Sequence, residues 1–415
     1  MIKILIPAGA VLVLLTILTL LLVPRVLKNQ SGQTGPVTVK YWGFDDELQI
    51  KPLVDEFEKT NPSIKVEYSR QVPTNYRTRV QTQIREGVGP DVFKIHNSWT
   101  TMFTGDLYPA PSDIFSLVDY QSNFFPVVGD SFISNEKIYG VPDAIDGLAL
   151  YYNEDILSGA GLSIPKTWQE FIDAANKVTV KDPSTGAIKT AGAALGSTAN
   201  IDHWSDILGL LLLQQPGVNL EKPGSNEAAE VLTFYTGFII DPRKKVWDTT
   251  LPNSTSLFAQ GSLAFYFGPS IEAARFKQAN PNLKFNIAPV PQLPGRKVAW
   301  GSFWGESVAF RSKYPKEAWT FVKFLSTKEQ EKQKAMATDP LLSIFVSQGP
   351  FYKSWFLSGG TQDVGLNDEM IKIWEDAINS VLAGTSPLPA LQNAGGKIKA
   401  VMDKYTAVPT PTPKK

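Results

Sequence analysis

The sequence predicts an α/β protein that begins with a layer of parallel strands and helices. Three short apolar segments have the alternation or the composition of strands, at residues 37–42, 64–68 and 92–95. Two helical patterns separate them, with apolar residues three or four positions apart: Ile50, Leu53, Val54 and Phe57, and then Tyr76, Val80 and Ile84. The order β-α-β-α-β is typical of a parallel sheet, and ligands of such sheets bind beyond the carboxyl ends of the strands.

Further strands and helices are predicted along the rest of the chain. Residues 138–142 and 148–152 have the composition of two strands joined by a loop. Thr167 and Glu170 have the spacing of a capping box, in which each side chain bonds the other residue's backbone amide, and this predicts a helix start. The remaining predicted elements are a helix at 207–213, a strand at 263–267 interrupted by Gly268-Pro269, and helices from 315 onward, around 370–381 and around 391–401.

The composition excludes several classes of protein. The 415 residues carry 40 Lys and Arg against 40 Asp and Glu, so the chain lacks the basic charge of a nucleic-acid-binding protein. It has no cysteine, which excludes thiol catalysis, disulfides, iron–sulfur clusters and cysteine-ligated zinc. Only two histidines occur, His96 and His203, which argues against histidine-ligated zinc and histidine relays. The 10 Trp, 13 Tyr and 23 Phe leave aromatic rings, carboxylates and amides as the groups available for binding.

Residues 1–28 are predicted to form a transmembrane anchor. Ile4 to Val23 are uncharged, and twenty residues at about 1.5 Å each cross a hydrocarbon core of about 30 Å. A cleaved secretion signal is the alternative, but its apolar region is usually shorter and ends at a small-residue cleavage site, which 23–28 does not offer. Residues 29–36 are predicted to be a polar linker and 406–415 a disordered tail. The folded part would then lie on the outer face of the cytoplasmic membrane.

Short motifs between residue 37 and about residue 405 occur in the order and spacing of a known family. They are Val39-Lys-Tyr-Trp42, Phe57-Glu-Lys-Thr-Asn-Pro62, Gly89-Pro-Asp91, Lys137-Ile-Tyr-Gly-Val-Pro-Asp143, Leu150-Tyr-Tyr-Asn153, Pro165-Lys-Thr-Trp168, Phe258-Ala-Gln-Gly261, Gly301-Ser302 and Pro315-Lys-Glu-Ala-Trp319. Through them the chain resembles extracellular solute-binding proteins of the carbohydrate ABC-importer type, such as maltose- and multiple-sugar-binding proteins. It departs from the family pattern in having Gly301-Ser302 for a glycine pair and in lacking the lipid-acceptor cysteine.

The resemblance implies a periplasmic-binding-protein-like fold of two α/β lobes, joined by a hinge and separated by an inter-lobe cleft. The expected first lobe comprises 37–142 plus 268–311, and the second comprises 143–267 plus 312–405. The predicted transmembrane helix would precede them. The cleft would enclose a mono- or oligosaccharide for delivery to the permease subunits of an ABC importer. The resemblance implies no catalytic residue, no metal site and no cofactor.

Aromatic rings and carboxylates in loops are the expected ligand contacts. The apolar C–H faces of a sugar stack on aromatic rings, and its hydroxyl groups bond carboxylates and amides. Tryptophans on helical patterns or at caps, such as Trp168, Trp319 and Trp374, are expected in the core. The candidate contacts in loops or at strand ends are Trp42, Phe44, Asp45, Asp46, Trp99, Trp204, Trp300 and Trp304. The resemblance adds Asn97, Ser98, Asp146 and Ser270, the last standing where relatives often have an aromatic ring.

Two alternatives to sugar capture remain open at this stage. A polysaccharide-active enzyme would need two acids about 5–10 Å apart, and nothing in the sequence marks such a pair. A solute-binding protein for a polyamine, for iron or for a phosphorylated glycerol compound would keep the fold and change the ligand. Tyr151-Tyr152 is a faint candidate for iron. The number of tryptophans in loops favours a neutral sugar.

Overall fold

The structure is a computed structural model that describes residues 35–406. Its strands are β1 (Val37–Gly43), β2 (Ile64–Arg70), β3 (Val92–His96), β4 (Leu107–Tyr108), β5 (Ile133–Ser134), β6 (Lys137–Ile138), β7 (Val141–Pro142), β8 (Ala149–Asn153), β9 (Val180–Lys181), β10 (Ile188–Ala193), β11 (Leu263–Gly268), β12 (Phe285–Ala288), β13 (Ala299–Trp300), β14 (Trp304–Ala309) and β15 (Tyr352–Lys353). Its α-helices are α1 (Glu47–Thr60), α2 (Tyr76–Glu86), α3 (Leu117–Asn123), α4 (Pro126–Phe132), α5 (Glu154–Gly159), α6 (Trp168–Val178), α7 (Trp204–Gln214), α8 (Asn226–Ile240), α9 (Ser254–Ala259), α10 (Ile271–Ala279), α11 (Pro315–Thr338), α12 (Ser343–Gln348), α13 (Leu366–Leu382) and α14 (Pro387–Thr406).

The first sheet contains the predicted β-α-β-α-β unit. Its strand order is β2-β1-β3-β14-β4, and β7 also pairs with β14. Strand β1 is parallel to both β2 and β3, as the sequence pattern predicts. Strand β14 enters from late in the chain and runs antiparallel to β3, with Trp304 opposite His96. The start of β14 therefore lies at the carboxyl end of β3, the edge where ligands of parallel sheets bind.

Helix termini follow the local sequence. Asp46 caps α1, since its side chain accepts a hydrogen bond from the backbone N–H of Leu48. Helix α2 ends at Gly87, which adopts a left-handed φ of 78°. The capping box predicted at the start of α6 is present, with Thr167 and Glu170 bonding each other's backbone. These signals act over four residues or fewer, which is why sequence alone locates them.

The second sheet has the strand order β12-β8-β11-β10-β9. Strand β8 lies antiparallel to β11 and β12, and β10 runs parallel to β11. Every residue of β11 is buried, because helices and loops cover both faces of this central strand. Helix α6 packs on β10, and α7 continues the layer toward the first sheet.

The predicted lobe boundaries are wrong in two places. Gly268-Pro269 ends β11, but the chain stays in the second sheet, because β12 pairs with β8 from Phe285 to Ala288. The return to the first sheet therefore falls between β12 and β14, near residue 300, and not at residue 268. Helix α11 was expected in the second lobe, yet it packs against β14, β7 and α1 of the first.

A narrow connection joins the two sheets. Strands β13 and β15 pair in parallel, and Gly147 forms an isolated bridge with Gly301. A Cβ atom at Gly147 would lie 2.0 Å from the carbonyl oxygen of Trp300, so only glycine fits there. Ser302 donates its backbone N–H to the carbonyl of Asp146 in the same connection. The segments that cross between the lobes are thus fixed against one another by backbone contacts.

Between residues 35 and 406, no helix has the length and apolar character needed to cross a membrane. The predicted anchor, most of the predicted linker and residues 407–415 of the predicted tail lie outside the described residues. Trp168, Trp319 and Trp374 are buried in the core, as their helical positions predict.

Candidate functional site

The carboxyl ends of β1 and β3 and the start of β14 form one edge of the first sheet. The loop after β1 carries Phe44 and Asp45, and β14 begins with Trp304. The ring of Trp304 meets Phe44 edge to face, with centroids 5.0 Å apart and an interplanar angle of 84°. Phe44 in turn packs on Tyr76 at 4.7 Å. Both Phe44 and Trp304 are only partly buried, so this edge presents aromatic surface.

Trp99 supports that surface from below. Its ring lies 5.0 Å from Trp304 at 82°, and none of Trp99 is exposed. A ring without exposed area offers no face for a sugar to stack on. Trp99 is therefore removed from the predicted contacts and placed in the core beneath Trp304.

A buried charge cluster lies at the same edge. Lys94, in the middle of β3, places its Nζ 2.7 Å from Asp143 Oδ2 and 2.7 Å from Glu306 Oε1. Asp45 Oδ2 lies farther from the same ammonium, at 3.9 Å. The Tyr41 hydroxyl donates a hydrogen bond of 3.1 Å to Glu306. In this cluster the Lys94 ammonium lies close to three carboxylates, of which those of Asp45 and Asp143 come from loops.

The environment of the cluster changes the acidity of its members. Burial alone lowers the pKa of Lys94, but the carboxylates of Asp143 and Glu306 outweigh burial and raise that pKa well above its ordinary value. Burial raises the pKa of Glu306 well above its usual range, and nearby Asp143 adds to the effect. Asp143 Oδ1 is buried and has no hydrogen-bond partner among residues 35–406.

Lys94 was not among the predicted site residues, although the sequence contains a signal for it. It is the single charged residue in the apolar run Val92–Ile95, and Glu306 likewise interrupts the apolar strand β14. A charged residue in a buried strand requires a buried partner, and the two strands lie side by side in the sheet.

Asp146 and Ser270 bind each other across the connection. The Ser270 hydroxyl donates to Asp146 Oδ2 at 2.8 Å, and its backbone N–H donates to Oδ1 at 3.0 Å. Gly147 donates its N–H to Oδ1 as well, at 2.7 Å. Burial raises the pKa of Asp146 to about 6, against the opposing effect of these bonds. Asp146 and Ser270, both predicted as ligand contacts, are therefore neighbours, and they form hydrogen bonds with each other in this structure.

Trp300 is fully buried in the second lobe. Its Nε1 donates to Asp206 Oδ1 at 2.8 Å, and its ring packs against Gly209 so closely that a Cβ there would lie 2.3 Å away. Asp206 also accepts the backbone N–H of Gly359 at 3.2 Å. Trp300 is thus a core ring that anchors two segments, and it is removed from the predicted contacts.

Three further predicted contacts have structural roles. Asn97 donates to Ser354 and accepts the backbone N–H of Phe303, and it is 4% exposed. Ser98 is bonded by the side chain of Asn367 at 2.7 Å and by His96 at the same distance. Asp46 caps α1 and pairs with an arginine on β2. Because Asn97 and Ser98 are buried and their hydrogen-bonding groups are already satisfied, we remove these two residues from the site, whereas the Asp46 side chain stays 47% exposed.

His96 lies under the aromatic edge as a neutral residue. Its two ring nitrogens meet the hydroxyls of Ser98 at 2.7 Å and Ser302 at 3.1 Å. Burial lowers the pKa of His96 to about 3. His96 therefore packs in the core as a neutral ring whose two nitrogens are both hydrogen-bonded.

Trp204 forms a wall of a cavity that touches both lobes. The cavity has a volume of about 370 Å³. Thr74 and Asn75 of the first lobe lie on one side, and Trp204 and Asp202 of the second lie on the other. Trp204 is half-buried, at the first position of α7. Asn75 directly precedes Tyr76, whose ring packs on Phe44, but neither Phe44 nor Trp304 lines this cavity.

The segment that precedes α13 closes one side of this cavity. Arg77 of the first lobe donates to the carbonyl oxygens of Asp363 at 2.7 Å and Val364 at 3.1 Å. Gln362 and Val364 have φ angles of 47° and 45°, a region that β-branched residues rarely adopt. A strained segment of this kind persists where its surroundings hold it, and Arg77 supplies that hold.

Comparison with known proteins assigns this architecture. A family model described as bacterial extracellular solute-binding protein matches residues 44–332. The chain belongs to this family. The multiple sugar-binding protein of Streptococcus mutans is 25% identical over 340 residues, covering 75% of this chain and 76% of that protein. The melibiose/raffinose/stachyose-binding protein of Bacillus subtilis is 27% identical over 348 residues, with 79% of each covered.

Solved structures of solute-binding proteins share the fold. The sugar-binding protein MalE of Xanthomonas citri superposes with a TM-score of 0.70 at 21% identity, covering 89% of this chain and 98% of that one. An ABC substrate-binding protein of Listeria monocytogenes in complex with cycloalternan gives a TM-score of 0.67 at 21% identity, covering 88% and 99%. The two-lobed periplasmic-binding-protein-like fold of this solute-binding protein is confirmed.

The candidate site offers aromatic rings and oxygen acceptors. Within the described part of the chain, no cluster of three or more His, Cys, Asp or Glu side chains is placed to hold a metal ion. Trp42 is half-buried on β1, beside Ser69 and Phe93 in the sheet register. The predicted contacts that keep accessible surface are Trp42, Phe44, Asp45, Asp46, Asp146, Trp204, Ser270 and Trp304.

Proposed function

We propose that this solute-binding protein captures a carbohydrate between its lobes, without catalysis, and passes it to an ABC importer. The proposal includes the predicted membrane anchor, which would keep the protein at the outer face of the cytoplasmic membrane. Relatives named for multiple sugars and for melibiose, raffinose and stachyose support the sugar class. Cycloalternan, which the Listeria monocytogenes neighbour binds, supports it as well.

The cavity beside Trp204 is the observation that carries the proposal. Its volume of about 370 Å³ falls in the range of small-molecule sites, about 300–1,000 Å³. One wall offers an indole ring, and the aromatic edge of the first sheet offers the partly exposed rings of Phe44 and Trp304. Asp202 and Asp368 line the cavity and supply carboxylate acceptors. Rings for the C–H faces and carboxylates for the hydroxyls are the two groups that a sugar requires.

Tyr151 and Tyr152, the candidate iron ligands, are not placed to bind one ion together. Tyr151 is fully buried and donates its hydroxyl to the carbonyl oxygen of Pro269 at 2.6 Å. Tyr152 follows it on β8, so its side chain points to the opposite face of the sheet. Two tyrosines on opposite faces of one strand cannot ligate the same ion.

Titration calorimetry with a carbohydrate panel tests the proposal. A thermal-shift screen first identifies a ligand, since a sugar at 100 times its Kd stabilises a protein by about 2.7 kcal/mol. Trp204→Ala should then weaken binding by roughly 1–3 kcal/mol, by analogy with the loss of a base-stacking ring. Phe310→Ala is the matched control, because Phe310 is 58% exposed and follows the far end of β14.

Two outcomes would contradict the proposal. If no mono- or oligosaccharide shifts the melting temperature while a polyamine or glycerol phosphate does, the fold stands and the ligand class is wrong. If Trp204→Ala binds sugar as tightly as Phe310→Ala does, the cavity is not the site. Release of reducing sugar from an oligosaccharide would instead identify an enzyme.

A further inference from the structure

The edge of the first sheet opposite the cleft carries three cations without partners. Lys40, Arg311 and Lys313 line a pocket of about 240 Å³ between β1, the loop after α2 and the loop after β14. All three are exposed, and within residues 35–406 none of them has an ion pair or a side-chain hydrogen bond. The chain has zero net charge, so three unpaired cations at one place form a local positive patch. Such a patch attracts an anionic partner.

The acid that shares the pocket with these cations is already engaged, and Glu67 of β2 stands opposite Lys40 in the sheet register without forming an ion pair with it. Asp91 also lines the pocket, but its Oδ2 accepts the backbone N–H of Lys40 at 2.9 Å, and its Oδ1 accepts the Ser312 hydroxyl at 2.6 Å. Glu86, next to Gly87, is the other acidic residue in the adjoining loop. The three cations therefore exceed the carboxylate that shares their pocket.

Two large apolar side chains stand exposed among the cations. Val88 lines the pocket and is 63% exposed, and Phe310 lies next to Arg311 and is 58% exposed. Cations mixed with exposed apolar side chains are typical of a surface that rests on anionic lipid, because the ammonium and guanidinium groups meet the headgroups and the apolar groups enter the interface.

The position of this edge indicates which partner it meets. It is the amino-terminal edge of β1, and β1 begins at Val37 directly after the predicted linker 29–36. Eight extended residues span at most about 29 Å, so the edge stays within that distance of the end of the predicted anchor. The cleft lies at the other end of the same strands, where Phe44 follows β1.

We propose that the face formed by Lys40, Val88, Phe310, Arg311 and Lys313, here called the basal face, rests on anionic phospholipid headgroups of the membrane that holds the anchor. The contact would orient the first lobe with its cleft end directed away from the lipid. This inference rests on the predicted anchor and not on the identity of the solute.

Site-specific fluorescence of the full chain in lipid nanodiscs tests the basal face. The natural chain has no cysteine, so a single introduced thiol carries the only label. Val88→Cys places a fluorophore on the basal face. Val180→Cys is the matched control, since Val180 is an exposed valine, at 52%, on edge strand β9 of the second sheet. Discs contain one copy of the chain and a lipid with a nitroxide-labelled headgroup.

The label at position 88 should be quenched in discs that contain phosphatidylglycerol, and less so in discs of phosphatidylcholine alone or in 1 M salt. The label at position 180 should be unaffected. Replacing Lys40, Arg311 and Lys313 by glutamine should lower the ratio of lipid-bound to free orientations by about 100-fold, since each cation near an anionic surface contributes a factor of about five.

Four results would overturn the inference. Equal quenching at positions 88 and 180 would mean that the lobe has no preferred orientation. Quenching that the triple glutamine variant retains would exclude the cations as its cause. Quenching that inorganic phosphate abolishes at constant ionic strength would identify the pocket as a site for a free anion. A full chain that fails to incorporate into discs would overturn the anchor and this inference together, while sugar binding in calorimetry would be unaffected.

Discussion

Removing the buried cation Lys94 should destabilise the first lobe strongly. Its Nζ makes two contacts of 2.7 Å with carboxylates, and Glu306 is 2% exposed. Hydrogen bonds to charged groups contribute about 1.5–3 kcal/mol each, and deleting one partner of a buried ion pair costs about 3–5 kcal/mol. We therefore expect Lys94→Met to lower the free energy of unfolding by about 3–5 kcal/mol at pH 8.

The pH dependence of this loss identifies its cause. Without the ammonium, Glu306 binds a proton more tightly in the folded state than in the unfolded chain, because burial raises its pKa. A carboxyl with a raised folded pKa stabilises the fold at low pH and loses that contribution as the pH rises. The deficit of Lys94→Met should therefore be smaller at pH 5 than at pH 8, and adding Glu306→Gln should recover part of it.

Urea unfolding at both pH values measures these differences, with Lys372→Met as the control. Lys372 also contacts two carboxylates, Glu375 at 2.9 Å and Asp376 at 3.0 Å, but its side chain is 65% exposed. Exposed pairs contribute about 0–1 kcal/mol, so this variant should lose little. A Lys94→Met protein that is as stable as Lys372→Met at pH 8 would refute the reasoning.

Three further predictions concern packing, closure and pH. Gly209→Ala should destabilise by about 1–3 kcal/mol because its Cβ would meet Trp300 at 2.3 Å, whereas Gly396→Ala, with open space around it in α14, should stabilise by about 0.4–1 kcal/mol in thermal unfolding. Arg77→Ala should enlarge the radius of gyration of the ligand-free protein in small-angle scattering, since the bonds to the segment before α13 hold the lobes together; an unchanged radius would exclude Arg77 as a latch. The pKa of Asp146 is raised to about 6 from an ordinary 3.8, so protonation of Asp146 stabilises the fold fully below about pH 4, and this contribution is lost as the pH rises through 6. Over this interval the wild type should therefore lose stability relative to Asp146→Asn. Parallel pH profiles of stability for the two proteins would contradict the assignment.

The first sheet could be predicted from sequence because its signals are local. The strands predicted at 37–42, 64–68 and 92–95 lie at Val37–Gly43, Ile64–Arg70 and Val92–His96. The point at which the chain returns from the second lobe to the first could not be predicted in the same way. Gly268-Pro269 ends a strand, but which sheet the next strand joins depends on pairing with β8, more than 130 residues earlier in the chain.

The candidate site was predicted in outline and not in detail. Trp204 and Trp304 keep partial exposure, whereas Trp99 and Trp300 have none, although the sequence predicts all four to lie in loops or at strand ends. A tryptophan outside a helical pattern carries no periodic signal that distinguishes a core ring from a binding ring. Burial is decided by neighbours distant in sequence, such as Gly209 beneath Trp300.

The late entry of β14 into the first sheet has a consequence for biosynthesis. Strand β3 ends at residue 96, and its antiparallel partner begins at residue 304. At about 5–20 residues per second, translation of the roughly 200 residues between them takes on the order of 10–40 s, during which the edge of β3 has no permanent partner. The first lobe therefore cannot complete its sheet until residue 309 has been synthesised. An incomplete sheet keeps this part of the nascent polypeptide loosely folded, so the order of strands itself delays the folding of the lobe.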